Sequence, residues 1–119
     1  MSDEKQKTDN SSDNTGKLRL RTPKDEVVFV AAENVLMAKS LDHWVQVLVK
    51  DGKEYRWFDS HLTLCNFLLL PPAAHLVRGN RFYALNRVRV TKYFPEKPTL
   101  VFDNVFTVEL EHPLPPYFI

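Results

Sequence analysis

The sequence predicts a mainly β domain, in which short antiparallel strands are accompanied by one short helix. Runs of β-branched and aromatic residues recur along the chain and are separated by Gly, Pro, Asp and Asn, which favour turns. One separator, Asp51-Gly52, joins two alternating runs as a tight hairpin would. Residues 59–70 are the stretch that combines helix-capping residues with apolar side chains at helical spacing. These patterns together predict many short antiparallel strands with one helix.

The hairpin is the most strongly marked element. Its strands are H-W-V-Q-V-L-V-K and K-E-Y-R-W-F, on either side of Asp51-Gly52. Val45, Val47 and Val49 fall on one face of the first strand, because successive side chains of a strand alternate between its faces. Glycine at the turn supplies the positive φ angle that a two-residue hairpin requires. We therefore predict two paired antiparallel strands here.

The other strands are shorter. Residues 17–23 predict an edge strand limited by Pro23, whereas E-V-V-F-V at residues 26–30 predicts a buried one. In a strand over residues 86–94, Val88 and Val90 would share one face. Further strands are expected over residues 34–40, 99–102 and 105–110, with a turn at Asp103-Asn104 before the last.

The helix is expected to begin at Asp59 or Ser60 as N-cap and to continue to about Leu70, where Pro71-Pro72 ends it. Its predicted apolar side consists of Leu62, Cys65 and Leu69, with Phe67 and Leu68 beside them. The single cysteine has no partner for an internal disulfide, and its apolar neighbours predict a buried structural thiol.

Length and composition predict one domain over residues 17–119, preceded by a disordered polar leader of residues 1–16. The net charge is only +1, but the leader carries a net −2, which leaves +3 on residues 17–119. The longest apolar run, residues 62–70, is too short for a bilayer, and the leader lacks the apolar core of a signal peptide. We therefore expect a cytoplasmic protein.

Enzymatic motifs are absent from the sequence. His43, His61, His75 and His112 do not have the spacing of metal ligands, and no Cys-x-x-Cys, His-Glu-x-x-His, phosphate-binding glycine loop or Gly-x-Ser-x-Gly motif occurs. We expect neither catalysis nor a metal, cofactor or small-molecule substrate. A hydrolase or another small-ligand binder, built from residues that only folding brings together, is the third hypothesis.

Positive charge is concentrated downstream of the helix. From Leu76 to Phe94 the chain carries no Asp or Glu, while its cations are Arg78, Arg81, Arg87, Arg89 and Lys92. Cations on strand-forming residues predict a positively charged edge or loop held by a rigid sheet. This segment is therefore a candidate anion-binding surface.

Within this segment the sequence resembles the LytTR family of DNA-binding domains, which commonly serve as output modules of bacterial response regulators. R-G-N-R-F-Y-A-L-N, residues 78–86, is similar to the family signature R-[VI]-H-R-S-Y-[IL]-V-N. D-H-W-V-Q-V resembles the family's D-x-Y-V-x-V segment, and S-H-L-T-L and N-R-V-R-V-T-K-Y also match in order and spacing. The resemblance covers about residues 27–110. Within the signature, the sequence differs from the family at Gly79, Asn80 and Phe82.

The resemblance implies an elongated β domain that binds double-stranded DNA specifically, in bacterial transcription regulation, through loops that enter successive grooves. Because the leader is only a short tail, we expect a stand-alone module without receiver domain, acting as a homodimer on repeated sites. The residues expected to contact bases are His43, Asn80 and Arg81, and those expected to contact phosphates are Lys39, Ser40, Arg87, Arg89 and Lys92. A third family contact, near the last strand, coincides here with Glu109 and Glu111.

Other roles are open for several of these residues. Arg78 has a structural alternative, an ion pair across the sheet; Tyr83 fits the core; Asn86 fits a turn whose backbone groups it satisfies. The second hypothesis for the whole chain is a LytTR-like domain that has lost DNA binding and acts as a protein interaction module. Glu109, Glu111 and the small net charge favour it.

Overall fold

Short antiparallel strands make up most of the regular structure, as the alternating runs predict. A computed structural model describes residues 16–118; Ile119 and residues 1–15, which hold nearly all of the expected disordered leader, lie outside this range. The domain measures 54 × 29 × 25 Å, so it is elongated. Within residues 16–118, no helix is long and apolar enough to cross a membrane.

The strands are numbered here in chain order along the described residues. They are β1 (Lys17–Arg21), β2 (Val27–Ala31), β3 (Val35–Leu41), β4 (Trp44–Asp51), β5 (Glu54–Ser60), β6 (Val77–Arg78), β7 (Tyr83–Leu85), β8 (Val90–Phe94), β9 (Thr99–Phe102) and β10 (Phe106–Glu109). Helix α1 (Leu64–Phe67) follows β5, and 3-10 turns occur at Ala32–Asn34, Pro71–Ala73, Arg87–Arg89 and Pro116–Phe118.

The strands form two sheets. Seven strands are arranged in the order β2-β1-β5-β4-β3-β7-β6, and three in the order β10-β9-β8. The predicted hairpin is confirmed as β4 and β5, paired from Val45↔Ser60 to Asp51↔Glu54, with Gly52 at φ +64°. The turn before β10 has Asp103 and Asn104 at positive φ, residues that tolerate this conformation better than most.

Each face of the large sheet packs on a separate core. On the first face, the valines of β4 meet α1, so that Val47 and Phe67 are fully buried. On the second face, Leu48 belongs to a core shared with the small sheet, through Leu100, and with the chain end, through Phe118. The alternation along β4 therefore divides its apolar side chains between two cores, as the pleat of a strand requires.

The helix differs from its prediction. Strand β5 continues through Ser60, and α1 begins only at Leu64, after Thr63 caps it by accepting a hydrogen bond from the Asn66 N–H (3.3 Å). The later start rotates the buried side, so Leu64 and Phe67 face the core, whereas Leu69 is 79% exposed. The expectation of a buried thiol was wrong, because Cys65 lies on the exposed side.

The positions of the first two strands are also reversed relative to the prediction. The edge strand is β2, whose Phe29 is 50% exposed, whereas β1 lies between β2 and β5 and buries Leu18 and Leu20. The predicted strand over residues 86–94 begins only at Val90, because residues 87–89 form a 3-10 turn that leaves Val88 88% exposed.

An ion pair at one end of the small sheet is hydrogen-bonded to the rest of the domain. Arg89 donates from Nε and Nη2 to the two carboxylate oxygens of Asp103 (2.7 and 2.8 Å) and from Nη1 to the carbonyl of Glu33 (2.8 Å). The hydroxyl of Tyr55, on β5, donates to the same carboxylate (2.8 Å). The Arg89 guanidinium therefore holds the pKa of Asp103 below its usual value.

Candidate nucleic-acid interface

Two turns that hold the predicted base-contact residues lie side by side at one end of the large sheet. Strand β3 pairs with β4 up to Leu41↔Trp44, which closes the β3–β4 turn that carries His43 at its tip. On its other edge β3 pairs with β7, and beyond that pairing the Ser40 N–H donates to the Phe82 carbonyl (2.8 Å). This places the segment before β7, residues 78–82, beside the β3–β4 turn; we call it the basic turn.

The side chain of Asn80 organises the basic turn. Its Oδ1 accepts hydrogen bonds from the N–H groups of Phe82 (2.8 Å) and Tyr83 (3.0 Å), as in an Asx turn. Its Nδ2 donates to the carbonyl of Pro113, near the chain end (3.0 Å). The polar atoms of Asn80 are thus used inside the protein, where they fix the backbone on both sides of Arg81.

Arg78 has a structural role of a kind different from the expected ion pair. It donates to the carbonyls of Asn80 and Arg81 (3.2 Å each) and to the sulfur of Cys65 (3.5 Å). The Gly79 N–H also donates to the Tyr83 carbonyl, across the base of the turn (2.9 Å). Because carbonyl groups of the basic turn accept hydrogen bonds from Arg78, a residue of the same turn, the turn has few alternative conformations of equal energy.

Arg81 is an exposed residue of the basic turn whose guanidinium is not used in hydrogen bonds within the turn. Its guanidinium lies 5.6 Å from the ring centroid of Phe82, and among residues 16–118 no carboxylate pairs with it. His43 is likewise exposed and has no hydrogen bond to any other described residue. The donors of Arg81 are therefore available to a ligand.

A cavity of about 330 Å³ lies between the two turns and is lined by residues of both. Its walls are Lys39, Ser40, Leu41, Asp42, Trp44, Phe82, Tyr83, Glu111 and His112. The β3–β4 turn and the basic turn thus form one continuous surface. The cavity also brings two carboxylates, those of Asp42 and Glu111, close to the proposed contact residues, which weakens the positive potential there.

The predicted phosphate-contact residues differ in their exposure and in whether their side chains already have partners within the protein. Lys39 is half-buried with its Nζ 5.8 Å from the ring of Trp57, and Arg87 is exposed over the ring of Phe118 (5.1 Å). The exposed residue Lys92 lies on β8, in the small sheet. Ser40 borders the cavity. Arg89, in contrast, is committed to Asp103 and the Glu33 carbonyl.

Tyr83 and Asn86 have the structural roles expected of them. Tyr83 is 2% exposed, and its hydroxyl accepts a hydrogen bond from the Glu111 N–H (2.8 Å). Asn86 is 5% exposed and donates to the Val35 carbonyl (3.2 Å). Both residues attach the segment after the basic turn to the body of the domain.

A second hollow, of about 410 Å³, brings His43 and His61 next to Asp59 and Trp44. Burial raises the pKa of the Asp59 carboxyl, and His61 opposes that effect. The intervening Ser60 is buried and faces the opposite side of β5, because side chains alternate along a strand, so it is no nucleophile for these histidines. Among the described residues, no three His, Cys, Asp or Glu side chains are placed to hold a metal ion.

Sequence reasoning missed the contribution of the chain end to this site. Residues 110–118 lie against the basic turn: the ring of His112 stacks on that of Phe82, with centroids 3.8 Å apart. The apolar residues among the terminal prolines are the one signal in the sequence that the chain end docks. That signal does not show where docking occurs, since the prolines prevent a regular strand or helix.

Comparison with known proteins bears on the fold. No family model matches the sequence, and no curated protein matches it. Among solved structures, the chain is similar to the "LytTr DNA-binding domain of putative methyl-accepting/DNA response regulator from Bacillus cereus", with a TM-score of 0.60 and 20% identity. The similarity covers 77% of this chain and 83% of that one. The chain has a LytTR-like fold. In this LytTR-like domain, the basic turn corresponds to the segment by which the sequence resembles the family signature.

Proposed function

We propose that this protein binds double-stranded DNA with sequence specificity, as a regulator of bacterial transcription, and that Arg81 contacts bases. The observation that carries the proposal is that Arg81 is exposed and unpaired with any described carboxylate, on a LytTR-like fold. Arg81 lies on a turn fixed by the hydrogen bonds of Asn80 and Arg78.

The chemistry of arginine suits this role. A guanidinium can pair in a bidentate manner with O6 and N7 of guanine in the major groove. Binding also costs less free energy when the residue that makes contact is already held in position. The bonds of Asn80 to the N–H groups of Phe82 and Tyr83 hold the backbone beside Arg81 before any ligand arrives.

His43 supplies the second base contact in this proposal. The β3–β4 turn and the basic turn span neighbouring strand pairs, so their centres are about 10 Å apart for strands spaced about 4.8 Å. Grooves of B-DNA are about 12 and about 6 Å wide, so the centres of adjacent grooves are separated by about 9 Å plus the width of the backbone between them, and the side chains of His43 and Arg81 would supply the remaining reach. The exposed imidazole of His43 would reach one groove and Arg81 the next.

Contacts to phosphates are assigned to Lys39, Ser40, Arg87 and Lys92. Such contacts orient the protein on the duplex without reading its sequence. Arg89 has a different role in the proposal: together with Asp103 it attaches the small sheet to the rest of the domain, through its bond to the Glu33 carbonyl and the bond from the Tyr55 hydroxyl to Asp103. On repeated sites the protein would bind as a homodimer, which would be detected as a doubled protein mass on a duplex with two half-sites.

The proposal is tested by selecting bound duplexes from a random library and measuring affinities for the selected site. Arg81→Ala should weaken binding to that site by about 1 to 3 kcal/mol and affect random duplexes less. Arg56→Ala is the matched control: it removes the same charge from an exposed arginine paired with Glu54 at the far end of the hairpin. Equal losses in both variants, or no selected site at all, would contradict base contact by Arg81.

Asp42 and Glu111 favour the second candidate function, a protein interaction module without DNA binding. Their carboxylates line the cavity between the two turns together with Lys39. A surface of mixed charge attracts a phosphate backbone less than it attracts a protein of complementary charges. Recovery of one protein partner from nuclease-treated cells, with no duplex retained from the random pool, would identify this function instead.

A further inference from the structure

The chain end, residues 110–118, forms a segment without strands that crosses the second face of the large sheet; we call it the terminal segment. Two tyrosine hydroxyls hold it in place: Tyr83 accepts from the Glu111 N–H (2.8 Å) and Tyr93 from the Leu114 N–H (3.1 Å). Leu114 and Phe118 are each 5% exposed within the second core. The terminal segment is thus an integral part of the domain.

Three residues of the basic turn contact the terminal segment, each in a different way. A Cβ atom on Gly79 would lie 2.7 Å from Cδ2 of Leu114, so a larger residue there would require the Leu114 side chain to move. Asn80 donates to the Pro113 carbonyl (3.0 Å). The ring of Phe82 stacks on His112 at an interplanar angle of 12°.

These three residues are also among the positions at which the sequence differs from the family signature, the others being Ala84 and Leu85. Gly79 stands for an aliphatic residue, Asn80 for a histidine and Phe82 for a serine. At each of these positions the residue present suits the terminal segment: Gly79 leaves space for Leu114, Asn80 donates an amide hydrogen bond to a carbonyl, and Phe82 forms an aromatic stack. Gly79, Asn80 and Phe82 therefore all fit the presence of the terminal segment against the turn.

We propose that the terminal segment sets the conformation of the basic turn and so determines how Arg81 meets base edges. Residues 112–114 position the basic turn. The two residues through which they act are His112, in the terminal segment, and Asn80, in the turn itself. This inference rests on the proposed DNA binding. Base discrimination depends on the direction of the guanidinium, whereas attraction to phosphates depends mainly on charge. Loosening the turn should therefore reduce discrimination more than general affinity.

The test uses the full chain with His112→Ala, which removes the stack, and with Asn80→Ser added to it. Serine retains an oxygen that can accept from the Phe82 N–H but is too short to reach Pro113. His112→Phe is the conservative variant, since it keeps an aromatic ring against Phe82. Phe67→Leu is the control for lost stability, because Phe67 belongs to the other core.

Two measurements separate the inference from the function on which it rests. The first, made without DNA, is hydrogen exchange of the Phe82 and Tyr83 amides, which should speed up by about 10-fold or more in His112→Ala and further in the double variant. The second is the ratio of affinities for the selected site and a random duplex. That ratio should fall by about 5- to 10-fold, with affinity for the random duplex unchanged. His112→Phe and Phe67→Leu should retain the wild-type ratio.

Each outcome supports or overturns a defined part of the inference. Unchanged amide exchange would overturn the control of the turn by the terminal segment, whatever the protein binds. Faster exchange with an unchanged affinity ratio would overturn the positioning of Arg81. A wild-type protein that selects no duplex would overturn the proposed function and with it the positioning of Arg81 against base edges. The exchange data would still decide whether the terminal segment fixes the conformation of the basic turn.

Discussion

The ion pair between Arg89 and Asp103 should contribute measurably to stability, and Asp103→Asn is the substitution that isolates it. Asp103 has a φ of +56°, a conformation that asparagine tolerates, so the variant keeps the backbone of the turn. It also keeps the size of the side chain and one oxygen acceptor. It removes the charge that meets Nε and Nη2 of Arg89 at 2.7 and 2.8 Å.

The size of the effect follows from the burial of the pair. The Arg89 and Asp103 side chains are 23% and 21% exposed, so water screens them less than a surface pair. Hydrogen bonds to charged groups contribute about 1.5 to 3 kcal/mol each, and asparagine retains part of the set. We therefore expect Asp103→Asn to lower the free energy of unfolding by about 2 kcal/mol at neutral pH.

The pH dependence provides a second signature. The pKa of Asp103 is lowered in the folded protein, chiefly by its hydrogen bonds from Arg89, so the folded state favours the charged carboxylate. The stability that it adds is fully present above the unfolded pKa of about 3.9 and is lost as the pH falls through the lower folded pKa. The difference between wild type and variant should shrink over the same range.

The assay is urea unfolding of both proteins between neutral and strongly acidic pH. Asp25→Asn is the matched control, since Asp25 also has a positive φ (+66°) and pairs with Arg21 (2.6 Å), but its side chain is 77% exposed. That control should lose less than about 1 kcal/mol. Equal losses in the two variants, or a loss for Asp103→Asn that persists at low pH, would refute the reasoning.

Three further substitutions test other parts of the structure. Phe67→Ala should lower the free energy of unfolding by about 3 to 5 kcal/mol, because the ring is fully buried in the first core; urea unfolding measures it, and a loss below about 1 kcal/mol would contradict that packing. Gly52→Ala should cost about 1 kcal/mol and Gly52→Asn less, since the residue has a φ of +64° with open space around it; equal losses would argue against the hairpin turn. Glu111→Gln should tighten binding to a duplex by about 2- to 5-fold at low salt, because a carboxylate beside the basic turn repels phosphates. Filter binding at several salt concentrations measures the last effect, and unchanged affinity would remove Glu111 from the interface.

The local signals in the sequence predicted the parts of the fold that depend on local chemistry. The Asp51-Gly52 turn and the valines of β4 fix their hairpin without help from the rest of the chain, and the turn at Asp103-Asn104 likewise needs only residues that tolerate positive φ. The helix was placed too early because Asp59 and Ser60 are good N-caps. In the folded protein these residues extend β5, where Asp59 pairs with Gln46. Tertiary pairing therefore overrides a local capping preference.

The candidate site was predictable in its charge and less so in its geometry. The concentration of cations indicated an anion-binding surface and the resemblance to the LytTR signature indicated Arg81, but Asn80 has the same polar character whether it contacts DNA or caps a turn. The cap made by its Oδ1 is local, but its Nδ2 donates to Pro113, which lies 33 residues later in the chain and has no pattern in common with it. The pairing of Arg89 with Asp103 is also non-local, since these side chains meet only when strands β8 and β9 of the small sheet pair.

The most direct test of the account is the affinity of Arg81→Ala relative to Arg56→Ala for a duplex selected by the wild-type protein. DNA binding through the basic turn predicts that Arg81→Ala loses about 1 to 3 kcal/mol at the selected site, while Arg56→Ala keeps nearly all of the wild-type affinity. Identical affinities for the two variants at that site would contradict the account.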